Sequence, residues 1–175
     1  MEPIEILAQA LSLIGMAINI LSMQCKKTRG VFVMLLVSAF VFMASYVLLG
    51  SFASGVLNIF GIARSIILLV DKRERHPMQL VLMLPVLIVC AAIGLYLDGP
   101  VALLPLIAQI GGTIGMWLRN GAKLRLWQIT ISSPFWLINN IVVFSIGGIM
   151  CETFVITSVL ISIRRYGWKY LKESD

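Results

Sequence analysis

The stretch from Val31 to Val70, VFVMLLVSAFVFMASYVLLGSFASGVLNIFGIARSIILLV, decides the fold. It carries a single charge, Arg64, and divides into two apolar runs, Val31 to Leu49 and Phe52 to Val70, at the break Gly50-Ser51. At about 1.5 Å of helical rise per residue, each run crosses a hydrocarbon core of roughly 30 Å. Neither shows the apolar/polar alternation of lipid-facing strands, so both read as transmembrane helices joined by a tight turn.

Five further runs flank this pair: Ile4 to Gln24, Gln79 to Leu97, Val101 to Leu118, Leu126 to Ile146, and Ile149 to Arg165. The expected fold is an all-α polytopic membrane protein of seven spans, with the lipid bilayer as its first partner. Composition agrees, since 59% of the 175 residues are hydrophobic and 13% are charged, against about 25% charged in a soluble domain. The +6 net charge does not point to nucleic acid, because the basic residues sit in the breaks between runs. Lys26, Lys27 and Arg29 follow the first run, Lys72, Arg73 and Arg75 the third, Arg119, Lys123 and Arg125 the fifth, and Arg164, Arg165, Lys169 and Lys172 close the seventh. The intervening breaks carry no Lys or Arg, so the positive-inside rule puts the N-terminus outside and the C-terminus in the cytoplasm. Glu2 and Glu5, with no basic residue before the first run, lack the pattern of a cleaved signal, and that run is expected to remain as a span.

Little in the chain suggests catalysis or a metal. Cys25, Cys90 and Cys151 lie in different regions and are not expected to pair, and His76 has no second ligand nearby. Without a nucleophile beside a base in any span, no enzyme, metal or cofactor is expected. Trp117, Trp127 and Trp168 at the basic breaks, with Tyr46 and Tyr96 opposite, read as interfacial anchors, whereas Trp136 falls near the middle of the sixth run.

Shifting the chain by ninety-six residues superposes Ile14-Gly15 on Ile110-Gly111, Lys27 on Lys123, Arg29 on Arg125 and Phe40 on Trp136, and Gly50 meets Gly147 after one insertion. Two three-span units, residues 1–71 and 99–175, are therefore expected around a single linker span, residues 72–98. The linker restores a parallel relation between the units, a 3+1+3 repeat.

Polar residues inside the runs are the candidates for function. Arg64 lies roughly 17 Å deep at about 1.5 Å per residue; it either faces the bundle axis and holds an anionic group or snorkels to the headgroups. Asn58, Asn139 and Asn140 share a depth on the order of 10 Å from the outer boundary, and either knit helices together or line a central cavity walled by Trp136. Glu152 opens the seventh run, where it either complements the helix dipole or serves gating or coupling. On straight helices its depth differs from that of Arg64 by roughly 13 Å, too far to pair. Pro105 and Pro134 interrupt helices of the second unit and are candidate hinges. Gly111-x-x-x-Gly115 reads as a close helix contact. Gln9, Asn19 and Gln109 carry no assigned role.

The 3+1+3 pattern resembles the SWEET/PQ-loop superfamily of small transporters. Val56-Leu57-Asn58 with Arg64, Leu104-Pro105, and Phe135-Trp136-Leu137-Ile138-Asn139-Asn140 followed by Ser145-Ile146-Gly147-Gly148-Ile149-Met150 and Glu152 resemble the YgjV-like bacterial inner-membrane family over nearly the whole chain. The resemblance implies a multi-pass protein of the inner membrane, without a substrate. In the SWEET-like pattern Asn58, Phe40 and Trp136 fill three sugar-site roles; the seventh run offers only Thr157, Ser158 and Ser162 for the fourth, and no Pro-Gln dipeptide opens either unit. The expected function is transport of a small polar or anionic solute around a midplane cavity formed by Asn58, Arg64, Trp136, Asn139 and Asn140. The alternative is a non-transporting scaffold or accessory subunit, and a second copy of the chain is admitted as a partner.

Overall fold

A computed structural model describes residues 2–23, 28–71, 76–118 and 120–166. The described residues form helices and turns, with no strand. The order is α1 (Pro3–Met23), α2 (Thr28–Leu48), α3 (Phe52–Val70), α4 (Pro77–Asp98), a 3-10 turn (Gly99–Ala102), α5 (Leu103–Trp117), α6 (Gly121–Trp127), a π segment (Gln128–Ser132), α7 (Ser133–Val142) and α8 (Ile146–Tyr166).

Among the described residues, five segments are long and apolar enough to cross a membrane: Pro3–Ser22, Arg29–Leu48, Phe52–Val70, Pro77–Trp117 and Ile146–Arg165. These five segments fall short of the even series of seven spans expected for a 3+1+3 arrangement. The expected fourth and fifth spans make one 41-residue apolar stretch, turned at Gly99, whose φ is +61°, and at Pro100, which fixes its own φ and donates no hydrogen bond. The expected sixth span is divided among α6, the π segment and α7, of 7, 5 and 10 residues. The Ser133 N–H reaches back five residues to the Gln128 carbonyl, and Pro134 comes next, whose ring would crowd residue 130 in a regular helix.

α2 and α7 end alike. Gly50 donates to Val47 O at 3.1 Å and Ser51 to Tyr46 O at 2.9 Å; Phe144 donates to Ile141 O at 3.2 Å and Ser145 to Asn140 O at 2.9 Å. Each is a left-handed helix stop that satisfies two terminal carbonyls. Gly50 takes its φ of +77° freely, while Phe144 holds +55° against a Cβ penalty of about 1–2 kcal/mol.

Six helical elements close a ring. α1 packs along α2, α2 along α3, α3 against α5, α5 against the α6–π–α7 segment, α7 against α8, and α8 back against α1. α4 stands outside this ring on α3. It buries one stripe, Gln79, Met83, Cys90 and Gly94, and exposes much of the rest, Tyr96 to 89%. Such a helix is suited to lipid on its free faces. Between α2, α3, α4 and α5 lies an apolar cluster of Phe32, Leu57, Phe60, Leu68, Met83, Cys90 and Met116.

Arg29, Lys123, Arg125, Arg164 and Arg165 stand at the same end of the ring, where α2 and α6 begin and α8 ends. This is the basic end; the end bearing the Gly50 and Phe144 turns is the closed end. Cys25, Lys26, Lys27, Lys72, Arg73, Arg75, Arg119, Trp168, Lys169 and Lys172 lie outside the described residues. Cys90 and Cys151 are free and buried.

At the closed end α8 meets α1 backbone to backbone. A Cβ on Gly147 would overlap the Ser12 carbonyl, so the two helices must separate to admit one. Gly147→Ala is expected to cost about 1–3 kcal/mol, the usual penalty for overpacking, read as a lowered unfolding midpoint of the detergent-solubilised protein.

Candidate functional site

The ring encloses a cavity of about 620 Å³. α4 contributes none of its wall. From the basic end it runs past Asn19 and Ser22 of α1, Asn120, and Arg125 and Gln128 of the α6–π segment. Deeper in, it meets Arg64 and Asn58 of α3, Gln109 of α5, Ser132, Trp136 and Asn140 opposite, and Glu152 of α8. It stops at Tyr46, Asn140 and Gly148.

Above that floor the chain is closed by side-chain bonds that cross between helices. Gln9 donates through Nε2 to Phe144 O at 2.6 Å and accepts at Oε1 from Ile146 N at 2.9 Å. Ser12 Oγ accepts from Gly147 N at 3.1 Å. Asn139 Nδ2 donates to Ser54 Oγ at 3.0 Å, and Tyr46 donates to Asn140 Oδ1 at 2.6 Å. Ser45 Oγ adds a bond to Ala8 O at 2.9 Å. The cavity is blind at this end and reaches the helix termini at the other.

Arg64 turns inward. Its Nη1 donates to Gln109 Oε1 at 2.9 Å and to Thr113 Oγ1 at 3.1 Å, and its Cζ lies 6.0 Å from the Phe60 ring centre. Nε is buried with no partner, and the protein acceptors are taken by Nη1, which leaves Nη2 for the cavity. Gln109 completes the link by donating through Nε2 to Leu57 O at 2.9 Å. The direction is set by helix geometry: side chains lean toward their helix N-terminus. On α3 that is the closed end, so the guanidinium rises to the level of Gly61 and Phe60. Snorkelling would require the opposite lean.

Glu152 also faces the cavity. Its Oε2 is buried without a partner, and Ser133 lies near enough to favour the charged carboxylate. Around it stand Tyr46, Trp136 and Phe42. The Tyr46 and Trp136 rings stack at 5.8 Å and 13°, and the Phe42 and Tyr46 rings at 5.9 Å and 21°.

Of the residues singled out in the sequence, Asn58, Arg64, Trp136, Asn140 and Glu152 come together on one cavity. Asn58 also donates to its own helix at Ser54 O, 2.8 Å away. Asn139 does not join them: one position from Asn140 is about 100° around the helix, and its amide is spent on Ser54. Pro105 lies buried in the first turn of α5, where a missing N–H breaks nothing, so it does not interrupt that helix. Pro134 is the second residue of α7, just after the π segment, and does mark a break. Phe40 is 49% exposed and points away, and Phe42 occupies the wall instead. Tyr46 is no interfacial anchor; it is 3% exposed and forms the cavity floor. The Gly111-x-x-x-Gly115 contact is present: a Cβ on Gly111 would come 2.7 Å from Ile131 Cγ2, and one on Gly115 would come 3.2 Å from Leu124 Cδ1.

Gln9 and Gln109 had no assigned role, although a repeat in the chain points to both. Ala8-Gln9, Ile14-Gly15-Met16 recur as Ala108-Gln109, Ile114-Gly115-Met116, a register of one hundred rather than ninety-six. Each glutamine bridges its helix to the neighbour in the ring, Gln9 from α1 to the start of α8 and Gln109 from α5 to α3.

A helical membrane protein with a polar, blind-ended cavity is the class these contacts define. The chain belongs to the YgjV family of bacterial inner membrane proteins, whose model matches residues 6–169. Among curated proteins and among solved structures, no match is found.

Tyr46→Phe removes one hydroxyl and leaves the ring stack in place. The buried Asn140 amide oxygen then loses its donor, and a cost of about 1–3 kcal/mol is expected. Thermal unfolding in detergent should show it, with Tyr96→Phe, at the exposed α4 position, close to the unaltered protein.

Proposed function

We propose that this protein moves a small polar or anionic solute by alternating access. The observation that carries the reading is the cavity itself: charged and amide groups line a space inside an otherwise apolar ring, blind at one end and continuous with the other. Burying Arg64 and Glu152 costs about 2.5–3.5 kcal/mol per charge on insertion scales, more than helix packing alone requires. A scaffold would satisfy or omit such groups.

In this reading the ring divides into α1–α3 and α5–α8, two halves of a SWEET-like arrangement in which α4 only connects. The neighbours in the ring support it, since α3 meets α5 as α8 meets α1. The positive-inside rule then makes the basic end cytoplasmic and places the N-terminus outside, so the cavity faces inward. The closed end parts by exchanging its side-chain bonds for water, and the break at the π segment and Pro134 gives the second half a place to bend.

Cysteine accessibility separates transporter from scaffold. In a protein freed of its native cysteines, Ser158→Cys in the cavity wall should react with a membrane-impermeant maleimide only from the basic side. Ser12→Cys, fully buried under the closed end, should react slowly from the opposite side as the cavity opens there. Permanent protection of Ser12→Cys in a protein that labels at Ser158→Cys would establish a static bundle.

A further inference from the structure

Arg64 and Glu152 are opposite charges on one cavity that do not neutralise each other. The acceptors of Arg64 are the neutral Gln109 and Thr113. Glu152 lies by Ser133 and shares the cavity with the aromatic floor, and no ion pair joins it to Arg64 among the described residues.

The two groups nevertheless lie near one level. Arg64 Nη1 and Ser132 Oγ stand 3.4 Å and 3.2 Å from the point where a Cβ on Gly112 would be, which makes them neighbours over one spot on α5. The next residue, Ser133, lies within electrostatic reach of the Glu152 carboxylate. The cavity thus runs between a guanidinium on one wall and a carboxylate on another, with the start of α7 between them. The difference in depth of roughly 13 Å expected for straight helices narrows because the longer arginine side chain climbs further toward the closed end than Glu152, which leans the same way on α8.

A solute entering this space displaces the water that hydrates both charges. An anion would compensate Arg64 and face Glu152 as a like charge, a cation would do the reverse, and a neutral polyol would leave both uncompensated in low dielectric. Stacked Tyr46 and Trp136 beside Glu152 add a surface that attracts ammonium over carboxylate.

We propose that the solute is a small zwitterion, its carboxylate held by Arg64 and its ammonium by Glu152 beside the Tyr46 and Trp136 rings. This rests on the transport reading and narrows its substrate class from polar or anionic to doubly charged and net neutral. Asn58 and Asn140 then hydrogen-bond the body of the solute between its charged ends.

The test uses purified full-length protein and measures binding calorimetrically at neutral pH. The probes are glycine, β-alanine, 4-aminobutyrate and 5-aminovalerate, a series in which each added methylene lengthens the charge separation, with propionate, propylamine and glycerol as single-charge and neutral controls. At least one zwitterion should bind tenfold or more tightly than every control. Arg64→Gln should reduce that zwitterion to the level of propylamine, and Glu152→Gln should reduce it to the level of propionate. If either variant does not fold, the comparison of probes on the unaltered protein decides alone. Propionate or glycerol binding as tightly as the best zwitterion, or no zwitterion binding at all, overturns the proposal. The transport reading falls with it only if Ser12→Cys also stays unlabelled while Ser158→Cys reacts.

Discussion

A guanidinium inside a bilayer must find acceptors within the protein, because the surrounding hydrocarbon offers none. Arg64 takes two from α5, and the glutamine that supplies one of them also donates to a carbonyl of α3. Charge, amide and backbone carbonyl therefore form one connected chain that clamps α5 to α3. With α5 held there, α4 is left on the outer side of α3, and the ring closes without it. Gln9 performs the corresponding task between α1 and α8, using both ends of its amide on the backbone around the Phe144 turn. The apolar surface of these helices has little to gain from burial against lipid-like neighbours, so these polar bridges fix which helix lies next to which.

Much of this was legible in the chain. The apolar runs on either side of Gly50-Ser51 became α2 and α3 with bounds close to those expected, and an arginine among apolar residues marked an interior charge. Two competing directions for Arg64 were open because run length says how deep a residue lies and not which way it leans. The lean is set by chain direction along α3, and it carries the side chain away from the basic end. Asn139 and Asn140 were indistinguishable by depth, and only the helical phase assigns one to Ser54 and the other to Tyr46.

The least legible region was Leu126 to Ile146. A uniform apolar run there concealed a π segment, since the widened turn leaves hydropathy unchanged and alters only the helical phase of the residues beyond it. The same blindness put Phe40 opposite Trp136, where the matching Gly50 and Phe144 turns show Phe42 to be its counterpart in position relative to the helix stop. The helix stop itself was hidden, because a left-handed residue announces itself when it is glycine and not when it is phenylalanine. The repeat was found at ninety-six residues because basic residues and paired glycines dominated the match; the glutamine-centred register of one hundred is the one whose side chains do equivalent work in α1 and α5.

The closed end is sealed by hydrogen bonds and close backbone contact rather than by a thick apolar plug. Each neutral bond of this kind contributes only about 0.5–1.5 kcal/mol net when water is available to replace it. Phe144 adds a strained backbone that its sealed position must hold. Parting this end would therefore cost a handful of weak bonds, each replaceable by water, rather than the exposure of a packed apolar plug. In the transport reading proposed above, such a seal works as a thermal equilibrium rather than a latch, and a modest difference in solute affinity between its two forms suffices to tip it.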